Sequence, residues 1–222
     1  VSITKALFAR STPAQPLVTH YDDAAGTRVE LSAATLANWA AKTANWLVEE
    51  HDVAPGTPVA VRLPAHWQTA GILLGAWWAG AHVVADGEAA VTFVAPGETA
   101  AGVVAAVSLD PMGRDLGGSS GSVTDFVGEA RMFGDDFFGS TVPGSSPALG
   151  GLTVDEVLAS GDLAPGTRLL STLAWTVPDG VLAALVAPLA AGGSVVQVSN
   201  PDPARLDRHR STERTTADRL AG

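Results

Sequence analysis

Between Ser32 and His51 the apolar residues Leu36, Trp39, Ala40, Trp46 and Leu47 recur at helical spacing. That period predicts an amphipathic helix with one buried face, and the Ser32 hydroxyl suits its N-cap. Shorter apolar and β-branched runs around it predict strands at 17–21, 28–31, 59–61, 83–84, 91–94, 103–109, 169–170 and 195–196. The runs at 91–94 and 103–109 are apolar throughout, as expected of parallel strands covered on both faces. Further helices are predicted over 3–10, from 67 to about 80 and near 124–133. Pro64 precedes the second of these, where its missing N–H costs nothing. Thr153 and Glu156 fit a capping box for another helix.

This pattern repeats. Ala54-Pro55-Gly56-Thr57 opens a strand, a helix ending Trp77-Trp78-Ala79-Gly80-Ala81, and the pair Val83-Val84. Ala164-Pro165-Gly166-Thr167 opens a second such series, with Leu189-Ala190-Ala191-Gly192-Gly193 and Val195-Val196. Strand, helix and strand within about 30 residues is a βαβ unit. The expectation is an α/β fold of two repeated halves, with mainly parallel sheet and helices on both faces. The first half covers 1–110 and the second 152–222, with an Arg-rich tail. Residues 111–151, rich in Gly, Ser and Pro with one short helix, connect them.

The 222 residues are 46% hydrophobic with a mean hydropathy of +0.22, which excludes a disordered polyelectrolyte. A net charge of −10 argues against a nucleic-acid partner. Without cysteine there are no disulfides, thiolate nucleophiles or Cys-based zinc sites. No apolar run is long enough to span a membrane, and no signal peptide is expected after Lys5, so a cytoplasmic location is expected. Residues 201–222 interleave five arginines with Asp202, Asp207, Glu213 and Asp218, the mark of a solvated helix face rather than a binding stripe.

Motifs for chemistry are sparse. Gly117-Gly118-Ser119-Ser120-Gly121 satisfies G-x-S-x-G, but the loop signal before it argues for a linker rather than a nucleophile elbow. No lysine follows to make a phosphate loop, and no G-x-G-x-x-G follows a strand. The five histidines, His20, His51, His66, His82 and His209, show no metal-ligand spacing, and no metal is expected. Trp39 and Trp46 suit core packing. The candidate ligand-binding residues are His66 and Trp67, just after a predicted strand, with Trp175 and Asp179 in the matching loop of the second unit; open α/β sheets contact ligands there. For His66 the competing assignment is a helix-start polar residue.

The blocks Glu30-Leu31-Ser32, 53–64, 74–81 and 187–196 resemble the N-terminal part of the adenylate-forming superfamily, which contains the acyl-CoA synthetases. The run 31–80 and Asn200-Pro201-Asp202-Pro203 are more closely similar to a small actinobacterial family of short proteins related to those enzymes. The resemblance implies the N-terminal fold of that superfamily. It also implies a phosphate loop ending Pro-Lys-Gly between Val103 and Thr153, where this chain has no lysine. The superfamily's Tyr-Gly-x-Thr-Glu and Thr-Gly-Asp segments and its C-terminal lysine domain have no counterpart, and Val177 stands where a His-x-x-Gly histidine would precede Gly180. The expected function is that of a non-catalytic relative, without a cofactor, which binds a small organic or nucleotide-like ligand or a partner. The alternatives are a partner-dependent acyl-adenylate or CoA ligase fragment, using ATP or AMP and Mg, and an assembly module such as a homodimer.

Overall fold

A computed structural model describes residues 2–139 and 141–222. Two mostly parallel sheets enclose a layer of helices. The seven-stranded sheet runs β7–β6–β5–β3–β4–β8–β9, built from β3 (Pro58–Arg62), β4 (His82–Val84), β5 (Thr92–Val94), β6 (Val104–Ala106), β7 (Val123–Asp125), β8 (Pro147–Leu149) and β9 (Leu152–Thr153). The five-stranded sheet runs β12–β10–β11–β1–β2, from β1 (Pro16–Asp22), β2 (Thr27–Ser32), β10 (Arg168–Ser171), β11 (Ser194–Ser199) and β12 (Ala217–Arg219). Each βαβ repeat thus lies in its own sheet. Sheet membership cuts across the division at 110 and 151, because β1 pairs in parallel with β11 and β8 joins β4.

Helix α1 (Ile3–Phe8) precedes β1, and α2 (Ala33–His51) begins where expected, with Ser32 Oγ accepting from the Thr35 N–H. Helix α3 (Trp67–Ala79) is the centre of the molecule. Every residue in it except Trp78 is buried, and it touches β1 of one sheet and β4 of the other. A helix enclosed on all sides has no polar face, which explains its near-continuous apolar sequence. It lies against α2 through Gly71 and Gly75. A methyl at Gly75 would collide with the Thr43 side chain and lie 2.7 Å from the Ala40 carbonyl oxygen.

The repeated Ala-Pro-Gly-Thr has one structural job in both copies. Gly56 (φ 85°) and Gly166 (φ 75°) take the left-handed conformation a tight turn needs after proline. Their N–H groups donate to the carbonyls of Gly80 (2.9 Å) and Ala191 (2.8 Å), at the end of the helix that follows each strand. The threonine carbonyls then receive the first N–H of the next strand: His82 to Thr57, and Ser194 to Thr167. The phrase therefore fastens strand, helix end and next strand together.

Three segments differ from the sequence expectation. The connecting stretch is ordered around Asp125, whose buried carboxylate accepts from the N–H groups of Leu116, Gly118 and Gly128 and caps α4 (Phe126–Ala130). It also supplies β7 and β8 to the larger sheet. The helix after β10 comprises α6 (Asp179–Val181), a π-helical turn (Leu182–Val186) and α7 (Ala187–Ala190). Pro188 has no N–H to donate to Ala184, which favours the wider turn. Finally, the tail is only partly a solvated helix. A short 3₁₀ turn (Pro203–Arg205) leads into α8 (Leu206–Glu213), which buries His209 and Glu213, and the chain then continues as edge strand β12. The capping box at Thr153 and Glu156 starts α5 (Val154–Ala159) as the spacing predicts.

Candidate functional site

The carboxyl ends of β1, β3, β6, β10 and β11 converge on a cleft of about 430 Å³ between the two sheets. Ligands of open parallel sheets bind outside strand carboxyl ends, so this is the expected place for a site. Its wall carries His20 and Asp22 from β1, and Ser199 and Asn200 from the end of β11. His66 comes from the loop after β3, and Leu109 from the segment after β6. The parallel register, with His20 opposite Gln197 and Asp22 opposite Ser199, puts these four on one face of the sheet, because alternate residues of a strand share a face.

His20 and His66 meet edge to face with ring centroids 4.5 Å apart. His66 is the N-cap of α3, its Nδ1 accepting from the Gln68 N–H at 3.1 Å. The helix-start assignment is thus met, and the same residue lines the cleft. Burial, with a smaller contribution from neighbouring His20, pushes the His66 imidazole down to about 3. Burial likewise takes His20 to about 4, against a smaller upward pull from Asp22. Both rings are neutral at physiological pH.

The tautomer of His20 follows from its neighbours. Ser199 Oγ donates to the Ala65 carbonyl at 3.0 Å, so its lone pairs face His20 Nε2, 2.9 Å away. His20 Nε2 consequently carries the proton. Its Nδ1 is a bare acceptor, sealed from solvent without a partner. In that arrangement the Ser199 hydroxyl bridges the imidazole and the Ala65 carbonyl.

The wall is strained. Leu109 (φ 54°) and Asn200 (φ 48°) are two of the four non-glycine residues with left-handed backbone among those described. Leu109 is held by its N–H bond to Gln68 Oε1 at 2.8 Å, and Asn200 by its amide donating to both oxygens of Asp22. Strain of this kind, over-determined by its surroundings, concentrates at functional sites.

The other candidates from the sequence lie elsewhere. Trp67 is buried behind the cleft, its Nε1 donating to the Pro111 carbonyl at 3.1 Å. Trp175 is buried too, donating to Gln197 Oε1 at 3.0 Å, and it lines a second cleft of about 360 Å³ beside Leu63, Asp86 and Val177. Asp179 is exposed at the start of α6 and lines neither cleft. His20, Ser199 and Asn200 were missed, although His20 lies near the end of a predicted strand just as His66 follows one. Among the described residues no cluster of three or more His, Asp or Glu side chains could hold a metal.

The sequence is 44% identical over 226 residues to a Mycobacterium tuberculosis protein described as a TIGR03089 family protein, covering 93% of this chain and 92% of that one. The chain belongs to the TIGR03089 family. No family model matches it. Among solved structures, a Brucella canis acyl-CoA synthetase superposes with a TM-score of 0.74 at 14% identity, over 99% of this chain and 47% of that one. The N-terminal domain of FACL13 from Mycobacterium tuberculosis gives 0.70 at 16% identity, over 98% of this chain and 62% of that one. The chain thus spans about half the length of the synthetase it resembles. It has the fold of the N-terminal domain of adenylate-forming enzymes. Where the phosphate loop is expected, between Val103 and Thr153, this family member has β7, α4 and the β8–β9 hairpin, turning through Gly150-Gly151 without a lysine. Among the described residues, no helix is long and apolar enough to cross a membrane.

Proposed function

We propose that this chain is a non-catalytic relative of the acyl-CoA synthetases, which uses the inter-sheet cleft to bind a small molecule. The observation that carries the reading is the composition of the cleft wall, with two neutral histidines, mostly apolar surroundings and Asp22 as its one charged side chain. Transfer of a nucleotidyl group needs cations placed against phosphate oxygens, and these supply orders of magnitude in rate. A wall without lysine or arginine is suited to holding a ligand and not to that chemistry. In a pyrophosphate-release assay with ATP, Mg²⁺ and a panel of carboxylic acids, the protein should match a buffer blank, and acid-dependent release would sink the reading. Thermal-shift screening should show a raised melting point with small organic ligands, since binding to the folded state alone stabilises it.

A second reading, an assembly module, has one observation in its favour. Met112, Met132 and Phe138 on the connecting stretch are 75%, 85% and 93% exposed. Sedimentation at micromolar to millimolar concentration tests it: Phe138→Asp should lower the mass of any assembly, and a monomer throughout removes this reading.

A further inference from the structure

We propose that the cleft selects an uncharged carbonyl compound, an amide or its like, with an apolar body and an oxygen that accepts a hydrogen bond from His66 Nε2. The inference rests on the cleft being a ligand site, as argued above, and adds the chemistry of what it takes.

His66 is committed through its capping role. Nδ1 accepts the Gln68 N–H, so in a neutral ring the proton must sit on Nε2. Nε2 has no partner among the described residues, yet it is not among the polar atoms sealed from solvent, so it opens on the cleft as a fixed donor. An open donor on a largely buried ring is satisfied by an acceptor, and left bare by an ammonium group. Beneath it His20, only 3% exposed, carries an unpartnered Nδ1. The base of the cleft is therefore made of two uncharged imidazoles packed on each other.

The charge around this donor decides between acceptors. A carboxylate or phosphate would also accept from Nε2, but it would find no cation on the wall and would face Asp22. The Asp22 carboxylate is engaged mainly through Oδ1, which accepts from the Ala24 and Ala25 N–H groups and from the Asn200 amide, while Oδ2 receives only a shared contact from that amide. It serves the turn after β1 and adds negative potential to the cleft mouth. Pro64, Leu109, Pro111 and Leu173 complete an apolar lining that suits a neutral molecule. The volume, about 430 Å³, accommodates a small organic ligand.

Benzamide, benzoate and benzylamine share one ring and differ in charge, so they separate the possibilities. Titration of each into the full isotope-labelled chain at neutral pH should shift the backbone amides of Ala65, His66, Leu109, Ser199 and Asn200. Benzamide should bind at least about ten-fold tighter than the other two, the discrimination a buried hydrogen bond and an unpaired charge produce together. Imidazole ¹⁵N shifts should show a protonated Nε2 and a bare Nδ1 for His66, with Nε2 moving on benzamide addition. His66→Asn keeps an N-cap acceptor. It should retain the melting point within a few degrees and lose the preference for benzamide. Benzoate or benzylamine binding as tightly as benzamide, or a His66 ring protonated on Nδ1, would overturn the ligand class while leaving the cleft as a site. If none of the three probes moves these amides, the cleft reading falls and this inference with it.

Discussion

His66 shows how one residue can start a helix and line a cleft at once. Its Nδ1 starts α3 while its Nε2 stays available to the cleft. His66→Ala should cost about 1 kcal/mol through the lost cap, and His66→Asn much less, a difference readable in urea denaturation. The two imidazoles also make stability depend on pH. Folded His20 and His66 stay neutral until about pH 4 and 3, whereas the same side chains in the unfolded chain protonate near 6.5. Below 6.5 the unfolded state binds more protons, so their contribution is complete above 6.5 and is lost as pH falls through those folded values. Between roughly pH 5.5 and 4.5, replacing His66 with Asn should flatten the stability slope by about 1.4 kcal/mol per pH unit, one proton's worth. An unchanged slope would show that His66 is not held neutral. On the outer face of the smaller sheet, burial would raise the Glu213 carboxyl, but hydrogen bonds from Arg28, Tyr21 and Arg168 hold it at about 2. Its side chain is only 4% exposed and bridges Arg168 at 2.6 Å, so Glu213→Ala should destabilise by roughly 3 kcal/mol.

At the scale of elements, the crossing of α2 and α3 depends on missing side chains. Alanine is the better helix former by about 1 kcal/mol, yet Gly75→Ala should destabilise by about 1–3 kcal/mol, because the new methyl meets Thr43 and Ala40 across the crossing. Gly71→Ala, whose methyl would meet only Trp39 Cβ at 3.2 Å, should be far milder. Urea midpoints of the two variants check the contrast, and equal midpoints would remove the account of the close crossing. Much of this level was legible in the sequence. The period from Leu36 to Leu47 gave α2, Ser32 and Thr153 marked helix starts, and the Ala-Pro-Gly-Thr pairs announced both βαβ units. The π-helical turn was not legible, because Pro188 has to be combined with the geometry around Ala184. Strand β12 was not either, since Ala217–Arg219 is short and charged and is a strand only because β10 offers it a partner.

For the whole molecule, interlocking of the halves is the decisive feature. β1 lies between β2 and β11, and α3 contacts both sheets, so neither half can complete its own sheet or core. A fragment of residues 1–110 should lack a cooperative thermal transition, whereas the full chain should unfold in one. Circular dichroism on both would test this, and a cooperatively folded 1–110 fragment would refute it. The cleft belongs to the same scale. Its residues lie at positions 20, 66, 109 and 199, and of these only His66 stands out from its sequence neighbours.

The sequence alone determined most of the elements and the α/β class, because hydrophobic period, capping residues and turn chemistry act over a few positions. It also showed which side chains are missing, since the lack of cysteine, or of lysine between Val103 and Thr153, needs no coordinates. Tertiary structure alone decided which strands share a sheet and which two histidines meet, because parallel pairing joins residues with no local signature of one another. His66 could be singled out from its place after a strand. That it faces His20, carries its proton on Nε2 and opens on a cleft without lysine or arginine was decided by packing, since burial and neighbouring groups set both the charge and the tautomer of an imidazole.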